Sequence, residues 1–101
     1  MRNPRANSPA DTLRSQLGDV AAPFDEELAD RIVRSNDEAV FLAALGRKDC
    51  PAALTVDLSQ ARDSEVRLAV AGHPNTPDVT LRRMTGDTDP DVSRAATRRV
   101  R

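Results

Sequence analysis

The chain of 101 residues has a formal net charge of −1, which fits one small domain and argues against a general binder of polyanions. Its single cysteine, Cys50, excludes an internal disulfide framework and leaves too few thiolates for an iron–sulfur cluster or a structural zinc site. Apolar residues make up 39% of the chain and only Phe24 and Phe41 are aromatic, so close packing of helices through small side chains is favoured over a sheet.

Charge is distributed unevenly along the chain. Residues 1–61 carry seven basic and ten acidic side chains, whereas residues 62–101 carry eight basic and six acidic ones. The first dozen residues contain no apolar run, and no segment is long and apolar enough to cross a bilayer. We therefore expect a soluble, cytoplasmic protein with no membrane partner, in which the C-terminal half is the basic half.

The N-terminal third predicts a short tail followed by two helices. Residues 1–7 are polar and are expected to be a flexible tail. Ser8 and Pro9 form a helix-start signal, and Leu13, Leu17 and Val20 then recur at helical spacing, which predicts a helix over about 9–20. Pro23 is expected to open a second helix that runs to about Arg34 and has Leu28, Ile32 and Val33 on its apolar side. These helices form a predicted capping segment, 8–36.

An internal repeat begins at Asp37. The pattern Asp-x-x-Val-x-x-Ala occurs three times with a constant period, starting at Asp37, Asp63 and Asp89. Each aspartate is placed to cap a helix three residues before an apolar valine. The predicted helices are 37–46, 64–72 and 90–100, and Gly46 and Gly72 are expected to end the first two in the left-handed conformation.

A second helix in each repeat is predicted to start at Pro51 and at Pro77, which are again one period apart. Its buried side is expected to carry Leu54 and Leu58 in one copy and Val79, Leu81 and Met84 in the other. Since one such unit cannot bury its apolar face alone, successive units must stack. The predicted fold is therefore all-α, a short right-handed α-solenoid of about seven short helices, with repeats 37–62, 63–88 and a partial 89–101.

The last predicted helix leaves one question about its apolar face open. Val92, Ala96 and Val100 either pack back on the preceding unit or remain open for self-association through the C-terminal end face.

One repeat shows a more specific pattern. It runs from a Val-Arg-x-x-Val-Ala stretch through a Pro-x-Thr-Pro turn and a leucine-containing helix to an Asp-rich turn, at Val66, Arg67, Val70, Ala71, Pro74, Thr76, Pro77, Leu81, Met84, Asp87 and Asp89. This segment resembles the unit of the variant leucine-rich repeat family. Residues 40–65 depart from the pattern, since Lys48 replaces Pro74 and Cys50 replaces Thr76.

The resemblance implies an all-helical superhelix related in shape to HEAT-like arrays, used mostly as an interaction module. Some members of the family look as if they carry an N-terminal cysteine cluster that holds iron and sulfur. This chain has Cys50 alone, inside a repeat, so that cofactor is not carried over and none is expected.

The C-terminal arginines are the candidate partner-binding residues. Arg94, Arg98 and Arg101 fall at i, i+4 and i+7, which places them on one face of the last helix. The full candidate set is Arg67, Arg82, Arg83, Arg94, Arg98, Arg99 and Arg101. A solvated charged face that suits the helix dipole is the alternative interpretation of this stripe.

No catalytic or metal constellation is expected. Cys50 could be an activated thiol at a helix start, but as the equivalent of Thr76 it is predicted to be a cap or a small filler. His73 is predicted to be a turn residue because it is the only histidine. The acidic run formed by Asp25, Glu26, Glu27 and Asp30 is predicted to be a solvated first turn.

These patterns predict a non-enzymatic helical-repeat module that binds another protein, as an accessory or adaptor to an enzyme or regulator. Binding of a nucleic-acid backbone through the arginine-rich C-terminal half is the alternative, although the scarcity of aromatic residues for base stacking weighs against it.

Overall fold

The computed structural model of the chain describes residues 9–19 and 23–100. Within these residues there are seven α-helices and no β-strand, which confirms the predicted helical class. The helices are α1 (Pro9–Leu17), α2 (Glu26–Ser35), α3 (Glu38–Leu45), α4 (Ala52–Leu58), α5 (Ser64–Gly72), α6 (Asp78–Met84) and α7 (Pro90–Arg99). The predicted tail 1–7, the cap Ser8, Val20 and Arg101 lie outside the described residues.

Helices recur with the period of the sequence pattern. Helices α3, α5 and α7 begin at Glu38, Ser64 and Pro90, and α2, α4 and α6 begin at Glu26, Ala52 and Asp78. The second series includes α2, which lies in the predicted capping segment. The helix starts of that segment therefore follow the same register as those of the repeats from α2 onwards.

The odd-numbered helices contact one another in succession, α1 with α3, α3 with α5 and α5 with α7. Helices α2, α4 and α6 pack against the odd-numbered helix that follows each of them. The extents of 53 × 25 × 17 Å show that this arrangement is elongated. A continuous core runs along it, and Val40, Val66 and Val92, one from each repeat, are all fully buried there.

The predicted aspartate caps are confirmed. The side chain of Asp37 accepts a hydrogen bond from the backbone N–H of Val40, and Asp63 does the same for Glu65. Asp89 accepts from the N–H groups of Asp91 and Val92. These carboxylates satisfy helix N–H groups that have no intrahelical partner, which is why each repeat starts its helix at the same register.

Several predicted boundaries were wrong in detail. Helix α1 ends at Leu17, and Gly18 follows it in a turn. Helix α2 starts after Asp25 and not at Pro23, because the Asp25 carboxylate accepts a hydrogen bond from the N–H of Leu28 and caps the helix there. Pro51 and Pro77 occupy N-cap positions just outside their helices. No described glycine has positive φ, so the left-handed ends predicted at Gly46 and Gly72 are absent, and the left-handed residue is Asn36 with φ 46°.

Two predicted core residues also lie elsewhere. Val79 is 64% exposed and Val33 is 42% exposed. On α6 the buried side is formed by Thr80, Leu81 and Met84. Val92 and Ala96 of α7 are fully buried against the preceding helices, so this part of the end face is covered and not open to a second chain.

Candidate functional site

Side chains at three positions spaced by one period link each unit to the one before it. They are Arg47, His73 and Arg99. The Arg47 Nη1 donates to the backbone carbonyl of Asp19 at 3.3 Å, and the Arg99 Nη1 donates to the carbonyls of Ala71 and His73 at 2.8 and 2.6 Å. These contacts join the C-terminal ends of α3, α5 and α7 to the unit before each of them.

His73 occupies the middle of these three positions and is buried. Its Nδ1 accepts from the N–H of Asn75 at 3.1 Å, so the proton lies on Nε2, which donates to the carbonyl of Arg47 at 2.8 Å. Both ring nitrogens are therefore used within the fold. The predicted role as a turn residue is correct in position, and the structure adds a contact between units.

Arg47 is a buried arginine that sequence reasoning missed. Its guanidinium forms two hydrogen bonds with the carboxylate of Asp49, at 2.8 and 2.6 Å, and lies 5.2 Å from the centroid of the Phe24 ring. The hydrogen bonds from Arg47 hold the pKa of Asp49 below its usual value. The signal that could have found Arg47 is its position one period before His73 and two periods before Arg99.

Arg67 is also engaged within the fold. Its Nε and Nη2 donate to the two carboxylate oxygens of Asp87 at 2.9 and 3.2 Å, and its Nη1 donates to the carbonyls of Ala61 and Arg62 at 2.8 and 2.9 Å. Burial alone would raise the pKa of Asp87, but the hydrogen bonds from Arg67 and from the N–H of Asp89 outweigh it and hold that pKa below its usual value.

Most of the other predicted arginines are exposed, and one of them is held by contacts to the preceding unit. Arg82 is exposed and pairs with Asp78 at 2.9 Å, and Arg94 is exposed and lies 3.4 Å from Asp91. Arg83 and Arg98 are exposed, whereas Arg99 is half-buried through its contacts to the preceding unit. The described part of the candidate set thus offers four exposed guanidinium groups, at Arg82, Arg83, Arg94 and Arg98.

Cys50 is fully buried. Burial raises the pKa of its thiol to about 11, with a smaller contribution from Asp49. This direction is opposite to the lowering that an activated thiol requires, so the structure supports the small-filler interpretation of this residue.

A groove of about 750 Å³ lies at the junction of α2, α3, α4 and α5. We call it the first groove. Its apolar lining is formed by Val33, Phe41, Leu58, Ala61 and Val66. The charged groups at its edge are Glu38, Asp57, Asp63 and Arg62, which is three acidic groups and one basic group.

An adjoining groove of about 470 Å³ lies between α2 and α4. It shares Val33 and Asp57 with the first groove, so the two meet at these residues. Phe24, Ala29 and Leu54 contribute apolar lining, and Asp25, Glu26 and Asp30 contribute further carboxylates. Both phenyl rings of the chain, Phe24 and Phe41, therefore line this joined surface.

A second groove of about 550 Å³ lies one repeat further along the chain. Most of its lining residues are one period beyond lining residues of the first groove, namely Ser59, Arg62, Arg67, Arg83, Met84, Gly86, Asp87 and Thr88. In this register Val33 is replaced by Ser59, Phe41 by Arg67 and Asp57 by Arg83. The groove therefore recurs with the repeat while its chemistry changes from apolar and acidic to polar and basic.

Three carboxylates converge at the edge of the first groove. Oxygens of Glu38, Asp63 and Glu65 lie within 4.8 Å of one another. A hydrogen bond with Asp63, then burial and repulsion from Asp63 and Glu65, raises the pKa of Glu38. Oxygen ligands of this kind suit Ca²⁺ or Mg²⁺ in chemical type, although Glu38 and Glu65 are exposed.

Comparison with known families identifies one segment of the chain. Residues 65–91 match the family model described as leucine rich repeat variant. The predicted resemblance is confirmed for this leucine rich repeat variant segment. The comparisons with curated proteins and with solved structures gave no match.

The leucine rich repeat variant segment contains nearly all of α5, all of α6 and the turn that leads to α7. It includes Arg67 and Asp87, which form an ion pair and both line the second groove. Sequence reasoning predicted the arginines of this segment and missed the first groove, because its apolar lining comes from four helices. Of the acidic residues that line the first groove, Asp63 was predicted only as a helix cap, and no role was predicted for Glu38 and Asp57.

No helix in residues 9–19 and 23–100 combines the length and the apolar character needed to cross a membrane.

Proposed function

We propose that the chain is a non-enzymatic helical-repeat module that mediates protein–protein interaction as an accessory or adaptor to an enzyme or regulator. In this proposal its helices form a short right-handed α-solenoid, and a partner binds along the surface that successive units build together. The match of residues 65–91 to a repeat family supports this reading, since stacked units create extended binding surfaces.

The observation that carries the proposal is a groove that recurs between units with different side chains in each copy. A scaffold that repeats its backbone while varying the groove chemistry is what recognition of an extended partner requires. The residues that would be the first candidates for catalysis do not favour an enzyme. His73 and Cys50 are both buried, and the ring nitrogens of His73 are both engaged.

Capture from an extract of the source cell tests the proposal. A tagged chain is incubated with the extract, and the retained complex is passed through size-exclusion chromatography. We expect a partner that co-elutes with the chain in a fixed ratio. Failure to find any such partner, with the chain eluting as a monomer under every condition, would argue against the proposal.

Binding of a nucleic-acid backbone is the second candidate function. Four exposed arginines, at Arg82, Arg83, Arg94 and Arg98, favour it. Arg67 and Arg99 add little to such a surface, because their guanidinium groups are held by internal contacts. Fluorescence anisotropy of labelled duplex and single-stranded oligonucleotides tests this candidate, and affinity that is absent at about 50 mM salt would exclude it.

A further inference from the structure

The first groove and the second groove occupy equivalent places in successive units but have opposite charge. At the first groove Glu38, Asp57 and Asp63 face one arginine, Arg62. At the second groove Arg62, Arg67 and Arg83 face one acidic side chain, Asp87. The two grooves are built from equivalent backbone positions and differ mainly in their side chains. The side chains should therefore decide what each groove binds.

We propose that the joined first and adjoining grooves bind a basic, amphipathic segment of a partner protein, with apolar side chains in the groove and lysines or arginines against the acidic edge. This inference rests on the proposed function and names the chemistry of the partner.

The apolar contacts for such a segment come from exposed or half-buried side chains. Val33 is 42% exposed and lies where the first groove meets the adjoining groove. Phe41 of the first groove and Phe24 of the adjoining groove are half-buried. Aromatic rings in a groove supply large contact area at low entropy cost and are common anchors in binding sites. The second groove has Ser59 and Arg67 at the positions of Val33 and Phe41, so it lacks these anchors.

The charge of the joined grooves selects a cationic segment. Six carboxylates line them, at Asp25, Glu26, Asp30, Glu38, Asp57 and Asp63, against the single guanidinium of Arg62. Asp30 is paired with Arg34 at 2.8 Å, and Asp25 and Asp63 cap helices. Asp57 is exposed and lines both the first groove and the adjoining groove, so a cation placed there is at the centre of the acidic surface. A surface lined mainly by carboxylates favours a cation and repels an anionic segment.

A designed peptide tests the proposal directly. The probe is a fluorescein-labelled peptide of about 16 residues with leucines at helical spacing and about six lysines, and its counterpart has glutamates in place of the lysines. Fluorescence anisotropy at low salt should show saturable binding of the lysine peptide and at least tenfold weaker binding of the glutamate peptide. Equal binding of the two peptides would overturn the proposal.

The repeat itself supplies matched variants. Asp57→Arg and Val33→Ser each introduce the residue found at the equivalent position of the second groove, Arg83 and Ser59. Asp57→Arg should weaken the lysine peptide about tenfold, because it exchanges attraction for repulsion at an exposed site. Val33→Ser should weaken it about threefold through lost apolar contact. Arg83→Asp, the reverse change in the second groove, should change the affinity less than twofold.

Circular dichroism at 222 nm confirms that each variant is folded before the peptide titration. Both replaced side chains are exposed, and if one variant fails to fold, the other still tests the groove. Affinity that is unchanged in Asp57→Arg and in Val33→Ser would overturn the proposal. Self-association of the wild-type chain in sedimentation velocity that Asp57→Arg abolishes would also overturn it, since a second copy would then be the occupant.

Capture from the cell extract separates this inference from the function on which it rests. A co-eluting partner that binds Asp57→Arg as well as it binds the wild type would refute the groove assignment and leave the interaction module in place. Loss of that partner in Asp57→Arg, with retention in Arg83→Asp, would support both. Absence of a partner together with absence of lysine-peptide binding would refute both.

Discussion

The Arg67–Asp87 ion pair provides the sharpest test of how α5 is held against the turns around it. The two side chains are 15% and 9% exposed, and Arg67 makes four hydrogen bonds, two to Asp87 and two to backbone carbonyls of the turn before α5. Replacing Arg67 by alanine leaves the Asp87 carboxylate largely buried without its cation. Removing one partner of a largely buried ion pair typically costs 3–5 kcal/mol, and we expect about 3 kcal/mol because Asp87 keeps its hydrogen bond from the N–H of Asp89.

Urea unfolding followed by circular dichroism measures this change. For a domain of this size a loss of about 3 kcal/mol corresponds to a decrease of about 12–24 °C in melting temperature. Arg82→Ala is the control, because Arg82 forms an exposed i,i+4 pair with Asp78 and should cost at most about 0.5 kcal/mol. A double-mutant cycle with Asp87→Ala should give a coupling energy above about 1 kcal/mol. A free energy of unfolding for Arg67→Ala within about 0.5 kcal/mol of wild type would refute the reasoning.

Four further predictions follow from buried or titrating groups. Val66→Asp should unfold the domain, because it buries a charge between units, and a native circular-dichroism spectrum would contradict the fully buried position of Val66. Thr80→Val should stabilise the fold by about 1 kcal/mol in urea unfolding, because the buried Thr80 hydroxyl has no hydrogen-bond partner among the described residues. Thr55→Val is its control and should not stabilise, since the Thr55 hydroxyl donates to the carbonyl of Ala52. The lowered pKa of Asp87 contributes stability that is present above about pH 4 and lost as the pH falls below it, so acid should lower the melting temperature less in Asp87→Asn than in wild type. Cys50, with a pKa of about 11, should react with a thiol reagent near neutral pH only when the chain is unfolded, and rapid labelling of the native protein would show that the thiol is accessible.

Local signals in the sequence were sufficient to predict most of the helices. Asp37, Asp63 and Asp89 are caps because a short carboxylate before an apolar residue satisfies free N–H groups without help from the rest of the fold. Helix α5 was predicted correctly because its start depends only on the neighbouring cap at Asp63. Gly46 and Gly72 do mark the ends of α3 and α5 as predicted, but the left-handed conformation predicted for them was wrong, since neither glycine has positive φ.

The candidate site depends on contacts between units, which a single stretch of sequence does not encode. Arg67 and Arg99 belong to a basic half of the chain, yet both donate into the fold because a carboxylate or carbonyl from another segment lies within reach. Val33 has the helical spacing of a core residue and lines an open groove instead. Aligning the chain with itself at a shift of one period would have paired Asp57 with Arg83 and revealed the difference between the two grooves.

The contacts made by Arg47, His73 and Arg99 have a common direction. In each case the later residue is the donor, and the acceptor is a backbone carbonyl 26 or 28 positions earlier in the chain. During synthesis on the ribosome, every acceptor therefore leaves the exit tunnel before its donor does. Each new unit can therefore dock on a unit that has already emerged, and the helical array can assemble from its N-terminal end before the downstream sequence is synthesised.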